Sequence, residues 1–216
     1  AVVSGGSADP AVASVRVGDT LAGTWAYRAY GKGSMRRFGG TTFTPDSVEH
    51  ARTGFRLDRD GSRDSLSFQG DLFTQQGRMP LTVPDLSSPY SRIIDDHVHS
   101  TGVSLSGRWN RQVSATNSVA LKSYFDRTAR DEFMHGYANS RTMDVDFQQQ
   151  LRLRRRHDFI WGTEYRKTLT QIGETALMRY DPGNTNRDLF STFAQDEVTL
   201  SVNMAVMLGA KIERFE

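Results

Sequence analysis

Apolar and polar residues alternate with a period of two through about ten segments of this chain, the pattern of strands whose successive side chains point to opposite faces. The alternation predicts strands over 12–17, 24–32, 51–59, 64–74, 99–110, 118–127, 141–153, 158–169, 188–200 and 204–215. Within each consecutive pair a tight turn is expected: Gly18-Asp19-Thr20, Asp60-Gly61-Ser62, Ser114 to Asn117, Arg154 to His157, and Ser201-Val202-Asn203. Longer loops separate the pairs, at 33–50, at 77–98 with Pro80, Pro84 and Pro89, around Gly136, and at 172–187 with Asp181-Pro182-Gly183-Asn184. Short connections on one side and long ones on the other predict an all-β chain, an antiparallel up-and-down transmembrane β-barrel.

The split between faces is sharpest over 143–153, where Met143, Val145, Phe147, Leu151 and Leu153 alternate with Asp144, Asp146, Gln148, Gln150 and Arg152. Leu66, Phe68, Gly70 and Leu72 oppose Ser67, Gln69 and Asp71 in the same way, as Val103, Leu105, Gly107 and Trp109 oppose Ser104, Ser106, Arg108 and Asn110. Over 189–198 the faces compete, since Phe190, Ala194 and Val198 are as apolar as Leu189 and Phe193. Soluble antiparallel sheets alternate too, and three features favour a membrane. Glycine and aromatics share the apolar face (Trp25, Tyr27, Trp109, Trp161, Tyr165), several near strand ends where an interfacial girdle lies. The segments run to about nine to twelve residues, the length of a tilted bilayer span rather than of an ordinary soluble strand. Full charges sit deep inside the polar face: Asp71, Lys122, Asp126, Asp144, Asp146 and Glu164.

Composition narrows the field. The 216 residues suit one all-β domain, and a hydrophobic content of 37% with no long apolar run excludes a bundle of transmembrane helices. Zero cysteine removes disulfide frameworks, thiolate chemistry and cysteine-bound metals. With 27 basic and 25 acidic residues, a net charge of +2 calls for no nucleic acid. The basic run Arg152 to His157 reads as a solvated turn. Asp95-Asp96-His97-Val98-His99 sets two imidazoles at i and i+2 beside two carboxylates, so His97 and His99 are weak metal candidates in what reads as a polar loop. Asp58 to Asp64 lacks the third acidic ligand and distal Glu of a calcium loop and reads as a hairpin turn. Without a nucleophile elbow, a Walker loop or a zinc-protease helix, no enzyme and no cofactor is expected. The chain opens at Ala1 without an export signal and stops inside a strand at Glu216, so both ends are expected to be cut.

Phe55-Arg56-Leu57-Asp58 followed by Arg63 to Leu72 resembles an early barrel hairpin of TonB-dependent outer-membrane receptors. Asp158 to Arg166 and Leu189 to Val198 are similar to later strands of that family, and Ala11 to Val17 with Trp25 to Lys32 resembles the strands that follow its plug. The resemblance implies a plug inside a barrel of about twenty-two strands, in the outer membrane of a Gram-negative bacterium. Such a receptor moves a scarce ligand, an iron-siderophore, cobalamin or similar, into the periplasm with energy from the TonB complex. Residues 1–216 are then a partial β-barrel domain, with the plug domain and the remaining strands absent. Its expected partners are outer-membrane lipid, the plug, the TonB complex and a small-molecule ligand such as an iron chelate.

The lumen-facing candidates are Asp71, Arg108, Lys122, Asp126, Asp144, Asp146 and Glu164. Salt bridging to a plug, or hydration, accounts for such charges more simply than ligand contact does, and the loops at 33–50, 77–98 and 172–187 are the better ligand candidates. Two alternatives stay open. A self-contained small outer-membrane barrel (porin, adhesin or protease) requires the strands of Val12 and Val206 to pair. A soluble β-sandwich or barrel of binding type requires the apolar faces to pack on each other.

Overall fold

A computed structural model describes residues 1–6, 11–21, 23–38, 46–154 and 156–216. Their strands are β1 Val2–Ser4, β2 Ala11–Leu21, β3 Trp25–Phe38, β4 Asp46–Asp60, β5 Asp64–Pro84, β6 Ser91–Ser114, β7 Asn117–Glu132, β8 Gly136–Leu153, β9 His157–Ile172, β10 Asn184–Ser201 and β11 Met204–Phe215. Each pairs antiparallel with its neighbours in sequence, giving one eleven-stranded sheet in the order β1 to β11. The expected meander is therefore present with one strand more than anticipated. Val2 to Ser4, too short to show alternation, pairs with Val12 to Ser14.

Several boundaries differ from expectation, each for a physical reason. Gly18-Asp19-Thr20 is not a turn: β2 continues through it and pairs with Ala26 to Arg28. Gly18 is instead a point of close approach, where a Cβ would stand 2.7 Å from the Tyr27 carbonyl oxygen, and the reversal falls at Gly23, whose φ is +69°. The expected loop over 77–98 is mostly strand. β5 and β6 run on together to Pro84↔Ser91 and close through the turn at 85–90. Pro80 and Pro84 are tolerated because the β4 ladder ends at Ser47↔Arg78, so both prolines lie on an edge that needs no donor. Strand likewise takes up much of 33–50, with 39–45 outside the described residues. The anticipated loop after β9 is present at 173–183.

Registers assign every strand's faces, since directly opposed residues share one. The row Arg16–Tyr30–Gly54–Asp71–Ser104–Asp126–Thr142–Thr168 lies on the polar face. One residue along, Val17–Ala29–Phe55–Gly70–Leu105–Phe125–Met143 lies on the apolar one. The ambiguous 189–198 segment resolves with Phe190, Thr192 and Ala194 on the apolar face and Leu189, Ser191 and Phe193 on the polar face. Trp25, Trp109 and Trp161 share the apolar face near its short-turn end and satisfy their polar edges there. Trp109 Nε1–H donates to Asp64 at 3.2 Å and Trp161 Nε1–H to Gln149 at 3.0 Å, while the Arg59 guanidinium lies 5.5 Å from the Trp25 ring.

No second layer covers the apolar face among the described residues. Among the described residues Val83 is the one buried hydrophobic side chain, whereas Leu72, Met143, Val145, Phe190 and Ile212 are all about half or more exposed. The apolar faces therefore do not pack on each other as a soluble sandwich requires. Nor do β2 and β11 pair, so the described sheet does not close into the small barrel that was the other alternative.

Candidate functional site

All seven anticipated lumen residues fall on the polar face, and five of them, Arg108, Lys122, Asp144, Asp146 and Glu164, gather in two adjacent rows across β6 to β9. Arg108, Lys122, Asp146 and Glu164 lie directly opposite one another in one row, and Tyr124, Asp144 and Arg166 form the next. Arg166 bridges the rows: Nε–H donates to Asp144 Oδ2 at 2.9 Å and Nη2–H to Glu164 Oε1 at 2.8 Å. Lys122 Nζ donates to Asp146 Oδ2 at 3.4 Å, and Arg108 Nε–H to Asn110 Oδ1 at 3.1 Å. Two basic positions on β6 and β7 thus meet two acidic ones on β8 and β9, and the Lys122–Asp146 pair at their border, with Arg166 beside Asp144 and Glu164, offsets the repulsion between like charges.

Asp71 and Asp126 stand apart from that group, two strands from each other in the row through Ser104. Asp71 accepts from the Tyr30 hydroxyl, which reaches it across Gly54, and from Arg52 Nε–H at 3.2 Å. Asp126 accepts from the Thr128 hydroxyl at 3.4 Å. Arg52, Arg166 and Tyr30 were not among the anticipated residues. Arg166 was within reach, since it follows Glu164 by two positions and so shares its face; Tyr30 and Arg52 become visible only once register brings them to Asp71.

His97 and His99 do share one face of an extended strand, but it is the apolar face, opposite Arg78 and Gln76. Among the described residues no group of three or more His, Cys, Asp or Glu is placed to hold a metal ion. At the same end of the sheet, Asp96 accepts from the Phe133 backbone N–H at 3.1 Å and pins the 133–135 turn. Burial pushes the Glu132 carboxyl up, but hydrogen bonds from Arg130 and His135 outweigh it and hold it below its ordinary value. The Ser87 backbone N–H and hydroxyl similarly hold Asp85 low in the 85–90 turn.

Two cavities lie at opposite ends of the sheet, the first on the polar face and the second on the apolar one. One of about 490 Å³ is lined by Arg108, Asn110, Gln112, Ser118, Gln148 and Gln150 toward the short turns. The other, of about 880 Å³, sits at the opposite end between the extended strands, with Met35, Glu49, Arg78, His97 and His99 among its lining. Arg166→Ala is expected to cost about 1 kcal/mol, the range of half-exposed ion pairs. Adding Glu164→Gln should recover part of it by relieving the like charges left behind; urea unfolding in lipid vesicles measures both.

An open meander with one charged face, one uncovered apolar face and long hairpins at one end has the architecture of part of a β-barrel wall. Its fold is that of the TonB-dependent siderophore receptors. The siderophore receptor PirA from Pseudomonas aeruginosa matches 95% of this chain with a TM-score of 0.69 at 11% identity, over 34% of its own length. The ferric-catecholate import receptor Fiu from E. coli K12 gives 0.68 at 11% identity, over 95% of this chain and 39% of its own. FpvA from P. aeruginosa, solved bound to heterologous pyoverdines, gives 0.67 at 10% identity, over 95% and 35%. The chain thus spans between a third and two-fifths of these receptors. No family model matches the sequence, and no curated protein matches it.

Proposed function

We propose that this chain forms part of the wall of an outer-membrane, TonB-dependent receptor that imports an iron chelate or a similarly scarce ligand into the periplasm. The observation that carries the reading is the two-sidedness of one open sheet: paired charges on one face, uncovered apolar side chains on the other. Charge is costly toward lipid and tolerable toward water or a plug. Unpaired outer edges at β1 and β11 favour continuation into a larger barrel, because a bilayer leaves no partner for edge backbone groups. A barrel of about twenty-two strands needs a plug, and the charged rows of β7 to β9 are suited to bridging with it. Ligand contact is assigned to the long-hairpin end, where β5 and β6 project to the 85–90 turn and the 173–183 loop joins β9 to β10.

The test is genetic and biochemical. Under iron limitation, deleting the complete gene should abolish energy-dependent uptake of one class of radiolabelled ferric chelate, and a plasmid copy should restore it. The protein should fractionate with the outer membrane. Uptake that persists without the inner-membrane energy source would overturn active transport, and recovery of a detergent-free monomer from the soluble fraction would overturn the membrane placement.

A further inference from the structure

Toward the long-hairpin end of the outward face, the position that follows a large apolar residue is basic on three successive strands: Arg127 after Phe125, Arg141 after Met143 and Lys167 after Tyr165. Lys167 is neutralised by Asp188, at 3.1 Å. Arg127 and Arg141 are different. They lie directly opposite each other in the β7–β8 register, both exposed, and no carboxylate among the described residues forms an ion pair with either. Like charges set directly across two strands destabilise a sheet unless something neutralises them.

A built site adjoins them. Asn139, only 3% exposed, accepts from Arg127 Nε–H at 3.2 Å, which fixes that guanidinium. Asn139 and Arg141 line a cavity of about 240 Å³ with Gln171, Asn184 and Asn186, floored by Leu169. Amide donors and a guanidinium over an apolar floor, at the border of the lipid-facing band, suit a headgroup that is both phosphorylated and rich in hydroxyls. We propose that Arg127, Arg141 and this cavity bind the phosphorylated glycolipid headgroup of the outer leaflet. The geometry favours phosphate because two guanidiniums can share its oxygens in charge-assisted hydrogen bonds, and the sugar hydroxyls find amide partners. An acyl chain then leaves past Met143 and Tyr165 along the apolar face. The site rests on the outer-membrane placement proposed above.

The experiment uses the complete gene product, purified from outer membranes and reconstituted in nanodiscs. Binding of bisphosphorylated lipid A is measured by native mass spectrometry beside its dephosphorylated counterpart and inorganic phosphate. Arg127→Ser with Arg141→Ser should weaken lipid A binding at least tenfold. Arg28→Ser with Lys32→Ser, which removes the same charge from the polar face, should leave it unchanged. On the unaltered protein, dephosphorylated lipid should bind at least tenfold more weakly, a readout that needs no variant to fold. Equal binding of the two lipids, or an undiminished affinity in the folded double-arginine variant, would overturn the proposal. So would inorganic phosphate that binds as tightly as the lipid, which would make the site one for a free anion. Failure of the unaltered protein to fractionate with the outer membrane would instead overturn the placement on which the site depends.

Discussion

Val145→Arg is expected to destabilise the complete protein in a bilayer by about 2–4 kcal/mol, the cost of an arginine near the midplane of a barrel's lipid face. Val145 lies midway along the apolar run of β8, between Met143 and Phe147, opposite Ser123 on β7 and Tyr165 on β9, and is 47% exposed with nothing in the described chain to cover it. The informative comparison is Gln148→Arg, three residues along the same strand. Gln148 is on the polar face and lines the cavity of about 490 Å³. An arginine there meets water and amides, so its effect should stay within about 0.5 kcal/mol, as for a surface substitution. Urea unfolding of both variants in lipid vesicles, with refolding to show reversibility, measures the difference. Equal effects would mean that the face of Val145 does not meet lipid.

The contrast between those variants is legible in the sequence, because a period of two needs no knowledge of partners: once Val145 faces out, Asp144, Asp146 and Gln148 face in. The same parity fixed the sides of Asp71, Arg108, Lys122, Asp126 and Glu164. Strand ends were less legible, for reasons visible at particular residues. Gly18 and the prolines at 80 and 84 are residues that normally break strands. Gly18 serves the backbone's approach to Tyr27, and the prolines sit beyond the end of β4 where no donor is required. Whether a glycine turns the chain or lets a neighbour come close depends on the register, which alternation alone leaves open. Phe190 and Phe193 were ambiguous for a related reason. One packs its ring on the polar face over a glycine, so its hydrophobicity carries no information about lipid. The functional groups divide similarly: the carboxylates of β8 and β9 could be found by counting, whereas Tyr30 and Arg52 meet Asp71 only through the pairing of three strands.

Cross-strand pairing of aromatics with glycines sets up the other large expected effect. Phe55 faces Gly70 on the apolar side, while Tyr30 faces Gly54, Phe73 faces Gly102 and Phe193 faces Gly162 on the polar side, each pair directly opposite in register. The ring lies down over the bare glycine backbone and shields it, a device that rescues glycine in sheets. Gly102 is the tightest case. A Cβ there would overlap Phe73 Cε1 and stand 2.7 Å from Cζ, so the ring could not keep its place. Gly102→Val should therefore cost about 1–3 kcal/mol, the usual penalty of forcing extra carbon into a filled site, despite valine's better strand propensity. The ring, not the backbone, is the obstacle, because no positive φ is found at Gly102. Phe73→Ala in the same chain should then remove most of the penalty, and a double-mutant cycle should return a coupling of about 1–2 kcal/mol in favour of the pair of changes. Additive losses would mean instead that Gly102 answers to its backbone and that the stacked ring of Phe73 is incidental to it.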